Sequence, residues 1–224
     1  MRLVRHSFCI GVTFWDAEER GFKKNLRHLR AILCKMGGMN EKIRLFIAID
    51  LPEKVKDVLM ETAVHLSQNV PDRAVRWVTR EQMHLTLRFL GDTAVAQLPD
   101  LQRELAELVA RYQPFQLKLG GVGAFPNQKR PRVVWAGLAG DLMPLRKMQA
   151  DIEEWVVASG WSPEKWAYNP HLTLGRVKDP QQVRGLNWDT KLEEVGFGVT
   201  AVQLMQSELR PSGPVYTVRQ TVLL

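Results

Sequence analysis

The sequence predicts an α+β fold in which mostly antiparallel sheets pack with helices. Two observations predict it: strand-length apolar segments are mixed with amphipathic segments of helical period, and several strands follow one another closely enough to form hairpins. The 224 residues are 45% hydrophobic and 25% charged, which suits one large domain or two small lobes that share a core. Because no apolar stretch approaches the roughly 18 residues of a membrane-spanning helix, we expect no membrane segment.

Strands and helices are mixed in the first half of the regular region. Ile43 to Ile49 is a nearly unbroken apolar run with one arginine, which is typical of a buried strand. Asp50-Leu51-Pro52 ends this strand and opens a helix, and we interpret Asp50 as its cap. The other elements predicted here are a helix marked by Val55, Val58, Leu59, Thr62 and Leu66, strands at Val75–Val78 and His84–Leu90, and a helix marked by Leu98, Leu101, Leu105 and Leu108.

The second half repeats these ingredients in a similar order. Its predicted elements are strands at Phe115–Leu119 and Val133–Leu138, a helix marked by Leu142, Leu145, Met148, Ile152 and Trp155 or Val156, and strands at His171–Val177, Gly198–Ser207 and Val215–Leu223. We expect a loop rich in glycine and proline, from Gly120 to Pro131, between the first two of these strands.

The basic charge of the chain lies mainly in its N-terminal part. Residues 1–38 hold 8 Lys/Arg and 3 Asp/Glu, whereas the remaining 186 residues hold 23 and 21. Gly37-Gly38 precedes Met39, so we expect residues 1–38 to be an extension and residues 39–224 to be the domain. Either Met36 or Met39 is the natural start, or residues 20–35 form a basic amphipathic helix that contacts a membrane or a nucleic acid.

Cysteine usage excludes several classes of site from residues 39–224. Cys9 and Cys34 both precede this region, so it has neither a disulfide framework, nor a Cys–His zinc site, nor a cysteine nucleophile. Residues 8–15 are too weakly apolar for a signal peptide, and acidic residues follow them in place of a cleavage site. We therefore expect a cytoplasmic protein.

A repeated tetrapeptide is the most informative feature of the sequence. His84-Leu85-Thr86-Leu87 returns letter for letter as His171-Leu172-Thr173-Leu174, although residues 39–224 contain only three histidines. On a strand, the histidine and threonine of each copy share one face, while the leucines point into apolar packing. If the two halves pack about a pseudo-two-fold axis, two imidazoles and two hydroxyls converge on one cleft.

Such a cleft suits a phosphoryl group. Threonine hydroxyls can donate to non-bridging oxygens, and a neutral and a protonated imidazole near pH 7 can serve as base and acid. Hydrolysis of a cyclic phosphate needs that pair, with neither a covalent intermediate nor a metal. The alternatives are a hydrogen-bonded core feature or a metal site, but two histidines without a nearby Asp/Glu cluster make a poor ligand set.

The chain from about Met39 to Leu224 resembles the two-histidine phosphoesterase superfamily, and within it the bacterial RNA 2′,3′-cyclic phosphodiesterases of the 2′-5′ RNA ligase family. The matching segments are Arg44–Pro52, Arg76-Trp77-Val78, His84–Gly91, Pro131–Gly137 and Asn169–Arg176. The resemblance implies a bilobal fold related by a pseudo-two-fold axis, with sheets lining a central cleft and helices outside. Residues 1–38 have no counterpart in the family pattern.

The resemblance also implies roles for six residues. In the first extended motif, His84 is the general acid that protonates the leaving O3′, and Phe89 stacks on the terminal base. In the second motif, His171 is the general base for water, and Arg176 clamps the phosphate. Thr86 and Thr173 are the substrate-binding threonines of the two copies.

The activity implied by the resemblance is hydrolysis of RNA 2′,3′-cyclic phosphate ends to 2′-phosphomonoesters, without a cofactor or a metal. The expected partners are RNA 3′ ends or nucleotides with a cyclic phosphate, and we expect a monomer without an obligate protein partner. Two alternatives stay open: reversible 2′-5′ RNA ligation at the same site, and a module that binds phosphorylated RNA ends without turnover.

Strand alternation raises a difficulty for two of the six residues. Phe89 and Arg176 lie five residues after their histidines, nominally on the opposite face of the strand. Each strand must therefore twist, bulge or end before either side chain can reach the cleft. Gly175 makes a bend easy in the second copy, but nothing in the sequence indicates one in the first, where Arg88 stands.

A few residues outside the motifs are secondary candidates. Arg130 and Arg132 lie in a loop and either contact an RNA backbone or are simply solvated. Three large aromatic residues either line the cleft or belong to the core: Phe46, Trp77 and Trp135. His65 lies outside any motif, and we expect it at the surface.

Overall fold

The structure, a computed structural model, describes residues 41–68, 70–183, 186, 188, 190–211 and 213–224. The expectations for residues 1–38 lie outside these ranges. Residues 42–93 and 97–224 form one compact unit. This unit holds both sheets except for the last residue of one strand.

The described residues form nine strands and three α-helices, so the α+β prediction is confirmed. The strands are β1 Lys42–Asp50, β2 Val75–Trp77, β3 His84–Ala94, β4 Phe115–Phe125, β5 Val133–Gly140, β6 His171–Val177, β7 Gly196–Val199, β8 Ala201–Arg210 and β9 Gly213–Leu223. The helices are α1 Glu53–Ser67, α2 Leu98–Val109 and α3 Leu142–Ala158. Two single turns of 3₁₀ helix are also present, Arg80–Gln82 and Val95–Gln97.

The strands belong to two sheets, and every pairing whose register is known is antiparallel. One sheet has the order β3-β1-β8-β9 and the other the order β2-β6-β5-β4-β7. The sheets do not divide the sequence into halves, because β2 joins the second sheet and β8 and β9 join the first. Each sheet carries one copy of the tetrapeptide, on β3 and β6 respectively.

The leucines of the repeated tetrapeptide point into the core, as strand alternation predicts. Leu85, Leu87, Leu172 and Leu174 are all buried within one large apolar cluster. Helix α1 packs against β6, and α2 packs against β9 and against α3. The leucines thereby fix the orientation of both strands, and the histidines and threonines of the same strands are left partly exposed on the opposite face.

Three local predictions were wrong. The chain from Gly120 to Phe125 continues β4 instead of forming a loop, with a register shift between Leu119 and Val122. The predicted strand Gly198–Ser207 is divided between β7 and β8, which join different sheets. Asp50 does not cap α1, whose N-cap is Pro52; its carboxylate instead pairs with Lys56 Nζ at 2.9 Å.

Candidate active site

The structure brings all six sequence-predicted site residues to one cavity of about 280 Å³. Residues of both sheets line it, and they include both histidines and both threonines of the repeated tetrapeptide. The full lining is Arg76, Trp77, Val78, Gln82, His84, Thr86, Phe89, Val133, His171, Thr173, Arg176, Pro214 and Tyr216. We refer to this space, the candidate active site, as the catalytic cavity.

A β-bulge in β6 explains how Arg176 reaches the catalytic cavity. Against β5, His171 pairs with Gly137, Thr173 with Trp135, and Arg176 with Val133. These partners are two residues apart on β5 and therefore share one face, so Arg176 lies on the face of His171 and Thr173. The register shifts between Val134 and Trp135 because β6 has one extra residue there. This extra residue turns Arg176 to the face of His171 and Thr173, whereas strict alternation would have placed it on the opposite face.

Gly175 is required at this bulge by a close approach of two side chains. A Cβ atom at position 175 would lie 2.6 Å from Val75 Cγ1 and 2.9 Å from Trp77 Cε3. Trp77 pairs directly with Gly175 and lines the catalytic cavity. The glycine therefore serves the bend and also makes room for the aromatic wall of the cavity.

Strand β3 changes parity at the same place. Its pattern of burial runs partly exposed, buried, partly exposed, buried and buried from His84 to Arg88, and β6 repeats this pattern from His171 to Gly175. Phe89 is consequently turned outward, with 54% of its surface exposed, and lines the catalytic cavity. The residue turned inward in its place is Arg88, which is only 5% exposed.

Buried Arg88 is held by a network of ion pairs and hydrogen bonds that the sequence did not indicate. Its guanidinium forms ion pairs with Glu153 on α3 and, at 2.7 Å, with Glu164. It also donates hydrogen bonds to the carbonyl oxygens of Ser162, at 2.6 Å, and of Phe89, at 2.7 Å. Buried arginine is stable only when paired in this way. The network joins β3 to α3 and to the segment that leads to His171.

His84 lies between two aromatic rings. Its ring centroid is 4.9 Å from that of Phe46 and 5.2 Å from that of Tyr216, which it meets edge-on. Burial lowers the pKa of His84 to about 4, against the opposing effects of the Asp50 charge and a hydrogen bond with the backbone of Gln82. The positive charges of Arg176 and Lys56 add to the lowering.

His171 has a related but different environment. Its Nδ1 lies 2.8 Å from the carbonyl oxygen of Asn169, and its ring meets Phe125 edge-on at 4.9 Å. Burial lowers the pKa of His171, the Asn169 hydrogen bond opposes this, and the charge of Arg176 lowers it further. A carbonyl oxygen can only accept, so Nδ1 carries the proton and Nε2 is the basic nitrogen of the neutral ring.

Several residues of the catalytic cavity have no signal in their local sequence. Tyr216 and Pro214 come from β9, which reaches the cavity only because the last strands join the sheet of β3. Gln82 donates from Nε2 to the Pro214 carbonyl oxygen at 3.1 Å and contacts the backbone of this strand. Of the aromatic candidates, Trp77 lines the cavity and Phe46 is a core residue beneath His84.

A second, larger cavity adjoins the catalytic cavity. It has a volume of about 740 Å³ and shares with the first the walls formed by Thr86, Phe89, Val133 and His171. Its other lining residues are Leu87, Arg88, Phe125, Pro126, Arg132, Gln149, Glu164, Trp166, Ala167, Tyr168 and Asn169. Arg132 thus lies at this cavity, whereas Arg130 lines neither space. We call this second space the aromatic basin.

Neither a metal-binding cluster nor a membrane-spanning helix is found among the described residues. No three His, Cys, Asp or Glu side chains in the described part of the chain come together in a group that could hold a metal ion. None of the helices formed by the described residues is both long and apolar enough to cross a membrane.

Comparison with known proteins places the chain in a family. The sequence pattern of the LigT-like phosphoesterases matches residues 49–135 and 141–216, which contain both tetrapeptides, and the chain belongs to this family. The resemblance inferred from the paired motifs is therefore confirmed, and the chain is a phosphoesterase.

Relatives named RNA 2′,3′-cyclic phosphodiesterase match over most of their length. The protein of Methanothermobacter thermautotrophicus is 35% identical over 180 residues, which cover 79% of this chain and 96% of the relative. The protein of Thermus thermophilus is 38% identical over 191 residues, which cover 79% of this chain and 87% of the relative.

Solved structures show the same fold. TT0787 of Thermus thermophilus superposes with a TM-score of 0.66 and 34% identity, covering 81% of this chain and 98% of that chain. E. coli LigT complexed with 3′-AMP superposes with a TM-score of 0.62 and 25% identity, covering 82% of this chain and 99% of that chain.

Proposed function

We propose that this phosphoesterase hydrolyses RNA 2′,3′-cyclic phosphate ends to 2′-phosphomonoesters, with His84 as general acid and His171 as general base. The observation that carries the proposal is the meeting of both histidines, both threonines and Arg176 in one cavity of about 280 Å³. The names of the relatives support the same substrate.

The proposed reaction is a single displacement at phosphorus. His171 Nε2 takes a proton from water as the water oxygen bonds to phosphorus, and the bond from phosphorus to O3′ breaks. His84 gives its proton to O3′, which leaves as a hydroxyl, and the phosphate stays on O2′. Both protons are assigned to side chains, so the proposal requires no metal ion.

Three further side chains bind the phosphoryl oxygens in this proposal. Thr86 and Thr173 donate their hydroxyl hydrogens to the non-bridging oxygens. The planar guanidinium of Arg176 pairs with the same group and stabilises the charge that grows on it during displacement. Phe89, half exposed beside the cavity, offers a flat apolar surface to the terminal base.

Substrate binding also favours the protonated form of His84, which a general acid needs. In the empty cavity, burial lowers the pKa of His84 to about 4, so the imidazole is mostly neutral at pH 7. A cyclic phosphodiester carries a negative charge, and a negative charge beside an imidazole favours its protonated form. Substrate binding is therefore expected to raise the pKa of His84 and to take up a proton.

The test is incubation of an RNA oligonucleotide ending in a 2′,3′-cyclic phosphate with the enzyme and a chelator, followed by identification of the terminal phosphate. We expect a 2′-phosphate. A 3′-phosphate would contradict the assigned leaving group, and hydrolysis that stops in the chelator would contradict metal independence. His65→Ala is the matched control, because His65 is an exposed histidine on α1 that lines neither cavity.

A further inference from the structure

We propose that the aromatic basin binds the penultimate nucleotide of the RNA, so that the enzyme favours oligonucleotide ends over cyclic mononucleotides. This inference rests on the proposed function, because it assumes that the terminal cyclic phosphate occupies the catalytic cavity. Nothing in the two-histidine motifs indicates a preference for substrate length. The basis of the inference is instead the position of the basin beside the catalytic cavity, its aromatic lining and its charge.

The two spaces adjoin each other and share four lining residues, Thr86, Phe89, Val133 and His171. The catalytic cavity, at about 280 Å³, has its own flat walls for a terminal nucleotide in Trp77, Tyr216 and Phe89. The basin, at about 740 Å³, is the larger of the two and shares the walls at Phe89 and His171. An RNA strand whose end lies in the catalytic cavity can therefore continue directly into the basin.

The walls of the basin are suited to stacking a base. Trp166, which lines only the basin, is 86% exposed, and Phe89, on the wall that both cavities share, is 54% exposed, so both offer uncovered apolar surface. Tyr168 donates its hydroxyl to the Thr86 carbonyl oxygen at 3.4 Å, which orients its ring. Because aromatic side chains stack on any base, the basin would bind a second base with little preference for its identity.

The charge of the basin matches an internucleotide phosphate. Its one acidic lining residue, Glu164, is already paired with Arg88. The other cation of the lining is Arg132, which is exposed and for which no carboxylate partner is found among the described residues. A guanidinium beside stacked bases is well placed to pair with a backbone phosphate.

The experiment compares two substrates of the intact enzyme: adenosine 2′,3′-cyclic phosphate and the dinucleotide ApA with a 2′,3′-cyclic phosphate end. We expect kcat/KM to be about tenfold or more higher for the dinucleotide. In Trp166→Ala this ratio should fall about tenfold, because the stacking surface is lost, while kcat/KM for the mononucleotide changes less than about twofold. Since Trp166 is exposed, its removal leaves the core intact.

Two matched controls separate the basin from the general surface. Arg132→Gln should lower the ratio and its dependence on salt, whereas Arg130→Gln, two residues away in the same loop and outside both cavities, should change neither. Met143→Ala removes another exposed apolar side chain, 78% exposed and lining neither cavity, and should leave the ratio unchanged.

The outcomes distinguish this inference from the proposed function. Equal kcat/KM for the two substrates, or an equal loss for both in Trp166→Ala, would overturn the basin as a nucleotide subsite and leave the hydrolase intact. If the enzyme turns over neither substrate, the proposed function itself fails, and the inference that rests on it fails as well.

Discussion

The two copies of the tetrapeptide share their backbone behaviour but achieve it with different residues. In each, the strand alternates through the buried leucines and then changes parity at the fifth position, which brings Phe89 or Arg176 to the catalytic cavity. The fifth residue is a glycine beneath Val75 and Trp77 in one copy and a buried arginine held by two glutamates in the other. The same change of parity is thus stabilised by different side-chain contacts in the two strands.

The two histidines likewise share a local backbone contact but differ in their surroundings. Each interacts with the backbone of the residue two positions before it, Gln82 for His84 and Asn169 for His171. Their wider surroundings differ. His84 lies between two aromatic rings and near the charge of Asp50, whereas His171 meets only Phe125 among the aromatic contacts of the described residues. Unequal environments can give the two imidazoles different pKa values, and the proposed division into acid and base uses such a difference.

The largest effect expected from breaking this pair is the loss of either histidine. His84→Ala and His171→Ala should each lower kcat by about 10²- to 10⁴-fold, because each removes one proton-transfer group. The measurement is the rate of cyclic phosphate hydrolysis under saturating substrate. His65→Ala should retain the wild-type rate, and a near-wild-type rate in either motif variant would contradict the assignment.

The residues at the fifth position of the two strands, Arg88 and Gly175, can be compared by substitution. Arg88→Met removes the cation that pairs with Glu153 and Glu164, which are 23% and 43% exposed, and should lower the free energy of unfolding by about 1–3 kcal/mol. Gly175→Ala places a Cβ 2.6 Å from Val75 Cγ1, so overpacking should lower it by about 1–3 kcal/mol. Both should be measured by urea denaturation.

The matched control for the glycine is Gly121→Ala in β4, where an added Cβ meets nothing within 4 Å. We expect its midpoint to stay close to that of the wild type. If Gly175→Ala were equally neutral, the close approach of Val75 and Trp77 would not explain the glycine.

A smaller effect should distinguish the two histidines by pH. The profile of kcat/KM reports the free enzyme, so its maximum should lie between the pKa of about 4 for His84 and the unperturbed value of 6.5, since burial lowers the pKa of both histidines. The rate falls at higher pH as the acid loses its proton and at lower pH as the base gains one. A maximum above pH 7 would contradict these environments.

Asp50→Asn sharpens this prediction. The negative charge of Asp50 raises the pKa of His84, so its removal should lower that pKa further and move the lower breakpoint of the profile to lower pH by a fraction of a unit. The upper breakpoint should stay in place. Glu53→Gln is the control, because Glu53 also pairs with Lys56 but is not among the charges that act on His84.

The sequence predicted the parts of the site that depend on local periodicity. The histidines, threonines and buried leucines follow from alternation along a strand, and the predicted strand His171–Val177 has the observed bounds. Arg88 could not be foreseen as buried, because its partners Glu153 and Glu164 lie more than sixty residues away. Tyr216 was missed for a similar reason, since only the exchange of strands between the sheets brings it to His84.

Some wrong predictions have the same physical origin. Glycines at 120, 121 and 123 indicated a loop, but in β4 they accommodate a bulge and a neighbouring ring, since a Cβ at position 123 would lie 2.3 Å from the ring of Trp135. Asp50 was interpreted as a helix cap from its position in the sequence, yet its carboxylate pairs with Lys56 and its charge acts on His84. Side-chain contacts across the fold decided each case.

The double variant H84A/H171A, measured beside the two single variants, tests most directly whether the two copies act as one catalytic unit. If acid and base serve the same displacement, removing both should cost no more in kcat than removing one, because either loss already disables the coupled proton transfer. Rates that fall in the double variant by the product of the two single effects would contradict the account, since the histidines would then act independently.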